Sequence, residues 1–214
     1  MSLEKQDALE QLKHIRSMME HSSRFISLSG WSGISAGCCA LVGAWLAHQR
    51  IQQYYQVDYM RGNAIPGNLY NELMLIALFV FVMAAITAIF FSVRKSKQQG
   101  VSIWGESSKR LLWNTLLPMI AGGILILKMM QDNLFDYVAA SCLIFYGLGL
   151  LNGSKFTLGE VRYLGYVQLL LGLLCLFFVR QGLIFWSLGF GVSHIVYGIL
   201  MWNKYDRKQD TAKL

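Results

Sequence analysis

Six long apolar runs joined by polar links constrain this chain more than any other feature. They cover residues 25–47, 73–93, 111–127, 134–151, 163–179 and 183–202. Each reaches the roughly 17–25 residues that a hydrocarbon core requires. Lipid offers no partner to a bare N–H or C=O, so runs of this kind fold as helices. The expected fold class is all-α: an integral membrane bundle of six transmembrane helices in three hairpins. A cytoplasmic amphipathic helix over 1–24 precedes the transmembrane domain at 25–202, and a cytoplasmic tail over 203–214 follows it.

Charge supports the same reading. The chain is 55% hydrophobic and only 14% charged, against about 25% charged in soluble proteins. The charges collect at 1–24, 94–110 and 203–214. The first two dozen residues are polar and contain no cleavable apolar core, so no signal peptide is expected. The net charge of +7 comes from basic residues that flank the spans, which is the positive-inside pattern and not a nucleic-acid-binding face. Of 19 Lys and Arg, 15 fall in the N-terminus, 94–110, 152–162 and the C-terminus, and 4 in the alternate links. That asymmetry predicts a multi-pass protein of a bacterial-type inner membrane with both ends cytoplasmic. The short links at 128–133 and 180–182 make helices 3/4 and 5/6 antiparallel neighbours.

An internal repeat adds detail. Ile144-Phe145-Tyr146-Gly147-Leu148 and Leu150-Leu151-Asn152 align with Ile195-Val196-Tyr197-Gly198-Ile199 and Met201-Trp202-Asn203 at a spacing of 51, and Ala121 falls on Gly172. Parallel repeats of hairpins occur in transporters, and also in membrane proteins without a transport role. The last hairpin carries Gly172, Gly191 and Gly198 spaced through Leu, Ile and Phe. Over helices 5 and 6 it resembles the HdeD-type six-helix bacterial membrane proteins linked to acid resistance. The proline that often closes such hairpins is missing from Arg180-Gln181-Gly182, and the resemblance assigns no functional residues.

Within the spans, small residues point to packing. Ser29, Gly33 and Gly37 step by four along helix 1, with Ala36, Ala40 and Ala44 on the adjacent face, and such rows let helix backbones approach closely. Gly172, Gly191 and Gly198 have the same expected role. Gly30-Trp31-Ser32-Gly33 also spells the serine motif of rhomboid intramembrane proteases. That family carries its serine on the fourth helix, whereas Ser32 opens helix 1. Ser32 and His194 differ in depth by about 10 Å at 1.5 Å per residue, too far for a nucleophile and its base.

His194 is the one histidine well inside a span, and its repeat counterpart is Leu143. An ionisable residue there is a functional candidate by default. Ser187, Gly191, His194 and Gly198 share one face of helix 6. Gly165, Gln168, Gly172 and Cys175 share a face of helix 5. The hairpin places Gln168 level with Tyr197, and His194 near Leu171 and Gly172. The alternative reading is a neutral His194 that hydrogen-bonds Gln168, Asn114 or a backbone carbonyl as a packing device. Asn114 precedes Pro118 by one turn, and the proline frees the Asn114 carbonyl and bends helix 3. His194, Gln168, Tyr197 and Asn114 thus form the candidate intramembrane polar site.

Residues 3–21 carry Leu9, Leu12, Ile15 and Met19 in one stripe, with Ser2 as an N-cap. The stripe suits the inner leaflet, the 94–110 loop, a second copy or another protein partner. Tyr54, Tyr55 and Tyr59 in the 48–72 loop suit an interfacial belt. Cys38, Cys39, Cys142 and Cys175 lie in apolar runs and read as small hydrophobes without metal-type spacing. No P-loop, dinucleotide or zinc-protease motif occurs, and no carboxylate, Arg or Lys sits at mid-span. No catalytic residues, cofactor, metal or nucleic acid are therefore expected. The expected function is non-enzymatic: structural, stress-related or a regulatory subunit. The alternative is a small transporter or channel with a polar cavity at His194, and an intramembrane hydrolase ranks last.

Reporter fusions test the orientation. A cytoplasm-active reporter fused after Leu214 or within 152–162 is expected to be active, and one within 48–72 inactive. The opposite pattern overturns the topology.

Overall fold

The protein, as a computed structural model, is described over residues 29–62, 66–99 and 105–207. The amphipathic helix expected over 1–24 lies outside the described residues, as does the tail after 207. Six helices among the described residues are long and apolar enough to cross a membrane: α1 (Gly30–Val57), α2 (Asn68–Gln98), α3 (Glu106–Gln131), α4 (Phe135–Phe156), α5 (Glu160–Phe177) and α6 (Val179–Asp206). The chain is therefore a multi-pass membrane protein of all-α class.

The helices overrun several of the apolar runs. α1 continues past the run that ends at 47, α2 carries its helix into the charged 94–98 stretch, and α6 continues four residues into the expected tail. Hydropathy marks the hydrocarbon layer, whereas backbone hydrogen bonding carries a helix on into the interface. At the other extreme, α3 and α4 are joined by a tight turn. Asn133 takes φ 59°, Leu134 N–H donates to Met129 O at 2.8 Å, and Asn133 N–H donates to Met130 O at 3.2 Å. These two bonds form a Schellman closure, with Asn in the left-handed position that glycine usually fills.

Neighbouring helices meet where glycine removes the side chain. On α1, Gly30, Gly33, Gly37, Ala40, Gly43, Ala44 and Ala47 are buried. A Cβ on Gly30 would lie 2.5 Å from Gly198 O, and one on Gly37 2.6 Å from Gly191 O. Gly33 meets Gly198 and the His194 carbonyl. Residue numbers rise along α1 as they fall along α6, so the two run antiparallel. The same lock joins α4 to α5: a Cβ on Gly147 would lie 2.8 Å from Leu169 N, and Gly172 abuts Ile144. Gly147 and Gly198 are repeat-equivalent, and each lets its helix press on an odd-numbered helix of another hairpin.

Packing order follows from these seams. α1 lies between α2 and α6, and α4 lies between α3 and α5. α6 touches α1, α4 and α5 and joins the two groups, while α2 and α3 do not pack along each other. The α5/α6 hairpin is thus looser than the seams that α4 makes with α5 and α1 with α6.

Gly198→Ala is expected to destabilise the bundle by about 1–3 kcal/mol, because its new methyl meets rigid backbone and not a movable side chain. Gly123 has nothing within 4 Å of a built Cβ, so Gly123→Ala is expected to be neutral. Thermal unfolding in detergent, followed by helicity, checks both. Equal effects would count against the glycine lock.

Candidate functional site

α6 is not a uniform α-helix. It opens with a 3-10 turn at Val179–Gln181, runs α-helical over Gly182–Trp186, widens to a π turn over Ser187–Val192, and resumes over Ser193–Met201. Two hydroxyls sit at the edges of the π turn. Ser187 Oγ donates to Leu183 O at 2.7 Å, and Ser193 Oγ donates to Leu188 O five residues back, at 2.8 Å. Single π turns of this kind mark many functional sites.

The carbonyl of Gly189, within this π turn, is the anchor of the polar cluster. Gln168 Nε2 of α5 donates to it at 2.6 Å, and His194 Nδ1 lies 3.0 Å from it. A carbonyl only accepts, so Nδ1 carries the imidazole proton. Nε2 is then bare, and it accepts from the Tyr146 hydroxyl of α4 at 2.8 Å. The 3.5 Å approach of Gln168 Nε2 to His194 Nδ1 brings two donors to one shared acceptor. The geometry describes a neutral, Nδ1-protonated histidine that ties α4 to α6.

Gln168 is fully buried. Its Oε1 has no hydrogen-bond partner, but it lies 2.6 Å from where a Gly189 Cβ would stand. The glycine's own Cα–H therefore points at that oxygen, a weak contact common at helix crossings. Leu143, the repeat counterpart of His194, is also fully buried and packs on the same glycine. The His194 ring stacks near Tyr146 at 5.5 Å and near Phe190 at 6.1 Å between centroids.

His194 and Gln168 thus come together, both at Gly189. Gln168 lies opposite Gly189 and His194, and not level with Tyr197 as the simple hairpin count predicts. The α5/α6 register holds at the end of the hairpin, where Glu160 pairs with Lys204 and accepts from Tyr205. Deeper in, that register is not kept: Gln168 meets Gly189, inside the π turn, and not a residue near 197. Tyr197 lies one turn from His194, and its hydroxyl is buried without a partner.

Asn114 belongs to a separate site. Asn152 Nδ2 of α4 donates to the Asn114 carbonyl at 2.9 Å and to its side-chain oxygen at 3.3 Å. The carbonyl that Pro118 deprives of its helical donor is thereby satisfied from the neighbouring helix. The depth gap expected between Ser32 and His194 is smaller than the helix count gave, since neighbouring Gly33 lies against the His194 carbonyl, but the two side chains are not paired: the Ser32 hydroxyl donates to Ser29 O at 2.5 Å and the imidazole meets Gly189 O and Tyr146. Among the described residues no group of three or more His, Cys, Asp or Glu is arranged to hold a metal ion.

Sequence reading missed a third polar cluster. Asp206, at the end of α6, accepts from Gly30 N–H at 2.9 Å and from Ser29 Oγ at 3.3 Å. Lys95 of α2 lies 2.7 Å from its other oxygen, with side chains 8% and 13% exposed. A carboxylate at a helix N-terminus offsets the positive end of the helix dipole. Only the cationic and acidic composition of the span ends hinted at it, and nothing in the sequence paired residues 176 positions apart.

Tyr146→Phe is expected to cost about 1–3 kcal/mol, because it leaves a buried imidazole nitrogen unpaired. It should also move the His194 Nε2 resonance in ¹⁵N spectra while the Nδ1–H signal persists. An unmoved Nε2 resonance would refute the assigned bond.

Compared with protein-family models, with curated proteins and with solved structures, the chain matches none.

Proposed function

We propose that this chain is a non-enzymatic component of a bacterial inner membrane, acting as a structural or regulatory subunit, with both ends in the cytoplasm. The observation that carries this reading is how the mid-bundle polar groups are used. Gln168 and His194 both donate to the Gly189 carbonyl, and His194 accepts from Tyr146, which holds α4, α5 and α6 in register. Interhelical polar bonds of this type are packing devices, worth about 0.6–2 kcal/mol each in membranes. The glycines behind the HdeD-type resemblance, Gly172, Gly191 and Gly198, likewise all lie at helix crossings, and that resemblance is the support for a stress-related role. The 15-to-4 charge count supports the orientation. Trp31 and Trp202, in edge contact at 6.5 Å, suit an interfacial belt at the end that carries Lys204 and Arg207. The lipid bilayer is the primary partner, and the N-terminal segment remains the surface proposed for a second copy or another protein.

If the polar cluster is structural, variants at His194 and Gln168 should lose cellular function only in proportion to the folded protein they lose. Quantifying membrane-extracted protein beside the phenotype of each variant checks this. A His194→Leu or Gln168→Leu chain that accumulates normally but has lost function favours the second reading, a small transporter or channel. The observation behind that second reading is the pair of buried, unpartnered oxygens on Tyr197 and Glu160.

A further inference from the structure

Where α3 begins, α4 ends and α5 begins, two helix seams bring three cations to one face. The α3/α4 seam closes with Asn152 Nδ2 donating to Asn114 O at 2.9 Å, and Asn114 Nδ2 donates in turn to Arg110 O at 2.8 Å. One turn further toward the same end stand Lys155 on α4 and Arg110 on α3, each on the face that its asparagine occupies. Lys155 lies in the 3-10 turn Ser154–Phe156, a geometry that eclipses residues three apart, so it stands beyond Asn152. The α4/α5 seam repeats the relation. A Cβ on Gly165 would lie 3.1 Å from Leu151 N, and one turn beyond that contact are Lys155 on α4 and Arg162 on α5. Lys155 is thus flanked by Arg110 on one side and by Arg162 on the other. All three are exposed. Arg110 pairs with Glu106 of its own helix. Among the described residues, Lys155 and Arg162 meet no carboxylate. Glu160, the acid nearest to Arg162 in sequence, is turned toward α6, where it holds Lys204 and Tyr205.

The apolar surface that leads to these cations is narrow. Within Val138–Gly153 the one exposed residue is Leu148, because α3, α5 and α6 cover the rest of α4. Leu148 is two turns from Lys155 on the same face, about 10 Å along the axis. Tyr166, 54% exposed, stands one turn from Arg162 on α5. Unpaired positive charge therefore sits at the end of an apolar stripe that faces lipid. Basic groups on neighbouring spans, at the level of the membrane surface, recognise anionic headgroups, and a guanidinium matches a phosphate with two parallel hydrogen bonds. We propose that Arg110, Lys155 and Arg162 form a binding site for an anionic phospholipid, with its phosphodiester at Lys155 and Arg162 and an acyl chain along Leu148. Glu106 offsets the charge of Arg110, so Lys155 and Arg162 carry most of the attraction. A free phosphate would meet the same cations but would leave the stripe at Leu148 unused, which is why the occupant is a lipid. The site rests on the reading of the bilayer as the primary partner, and on neither the assigned orientation nor the subunit role.

The test is lipid binding by the full chain in detergent micelles, with bound lipids counted by native mass spectrometry. The probes are phosphatidylglycerol and phosphatidylcholine of identical acyl chains. Phosphatidylglycerol is expected to bind the more tightly. The double variant Lys155→Gln/Arg162→Gln should weaken it about thirtyfold, the factor that two cations at a membrane surface give. Arg94→Gln/Lys97→Gln removes the same charge from two exposed positions at the end of α2 and should keep the wild-type affinity. Lys155→Gln alone, with a smaller loss in the same direction, serves if the double variant folds poorly. Equal binding of the two lipids, or equal losses in the two double variants, overturns the site. Inorganic phosphate that displaces phosphatidylglycerol at equal concentration overturns the lipid as its occupant. Equal binding of both lipids leaves the bilayer as partner, and the structural reading above rests on folded amount and phenotype, so either proposal can fail without the other.

Discussion

Within the spans of this protein, a polar group has either a protein partner or an expensive alternative. Lipid supplies none, and an unpaired amide or hydroxyl costs several kcal/mol there. The interior is arranged around that constraint. The Asn114 carbonyl, left free by Pro118, is met by Asn152. The Gly189 carbonyl is met by Gln168 and His194, and the second imidazole nitrogen by Tyr146. Serine hydroxyls at 32, 35, 154, 187 and 193 fold back onto carbonyls of their own helices. Each bond between helices fixes a register that apolar contact alone leaves open to sliding.

Glycine provides the proximity that these bonds need. Gln168 reaches Gly189 because the latter has no side chain, and any Cβ there would collide with Gln168 Oε1 at 2.6 Å. The glycines of the π turn face opposite ways. Gly189 opens toward Leu143 and Gln168, and Gly191 toward Leu41 of α1. One short stretch of wound-out helix thus lets α6 touch both halves of the bundle at once.

The sequence made the coarse architecture legible because the physics behind it is local. Apolar length gives a span, and small residues at four-residue steps give a crossing. Gly33, Gly37, Gly172, Gly191 and Gly198 could be marked as packing residues without knowing their partners. The partners were not legible, since they depend on which helices become neighbours. Short links suggest that α5 should pack mainly on α6, whereas α5 presses on α4 and α6 presses on α1. Asn114 could be linked to Pro118 from spacing alone, but Asn152 as its donor could not. Likewise His194 stood out as the buried imidazole, while Tyr146 stood out only as the repeat counterpart of Tyr197 and not as the partner of His194. The π turn of α6 has no reliable signature beyond a run of Gly and Ser.

The seam between α1 and α6 joins the first span to the last. During synthesis α1 emerges with its glycine face bare and its first turn uncapped. The helix that fills that face, and the carboxylate that caps that turn, are made more than 150 residues later. Contacts of such long sequence separation form late and slowly. Until then α1 is held chiefly by α2, through Gly43 against Val80 and through the Arg50–Glu72 pair. A chain truncated before Asp206 therefore displays an unfinished first helix, so the last turn of α6 reports to the first turn of α1 that all six described spans have been made.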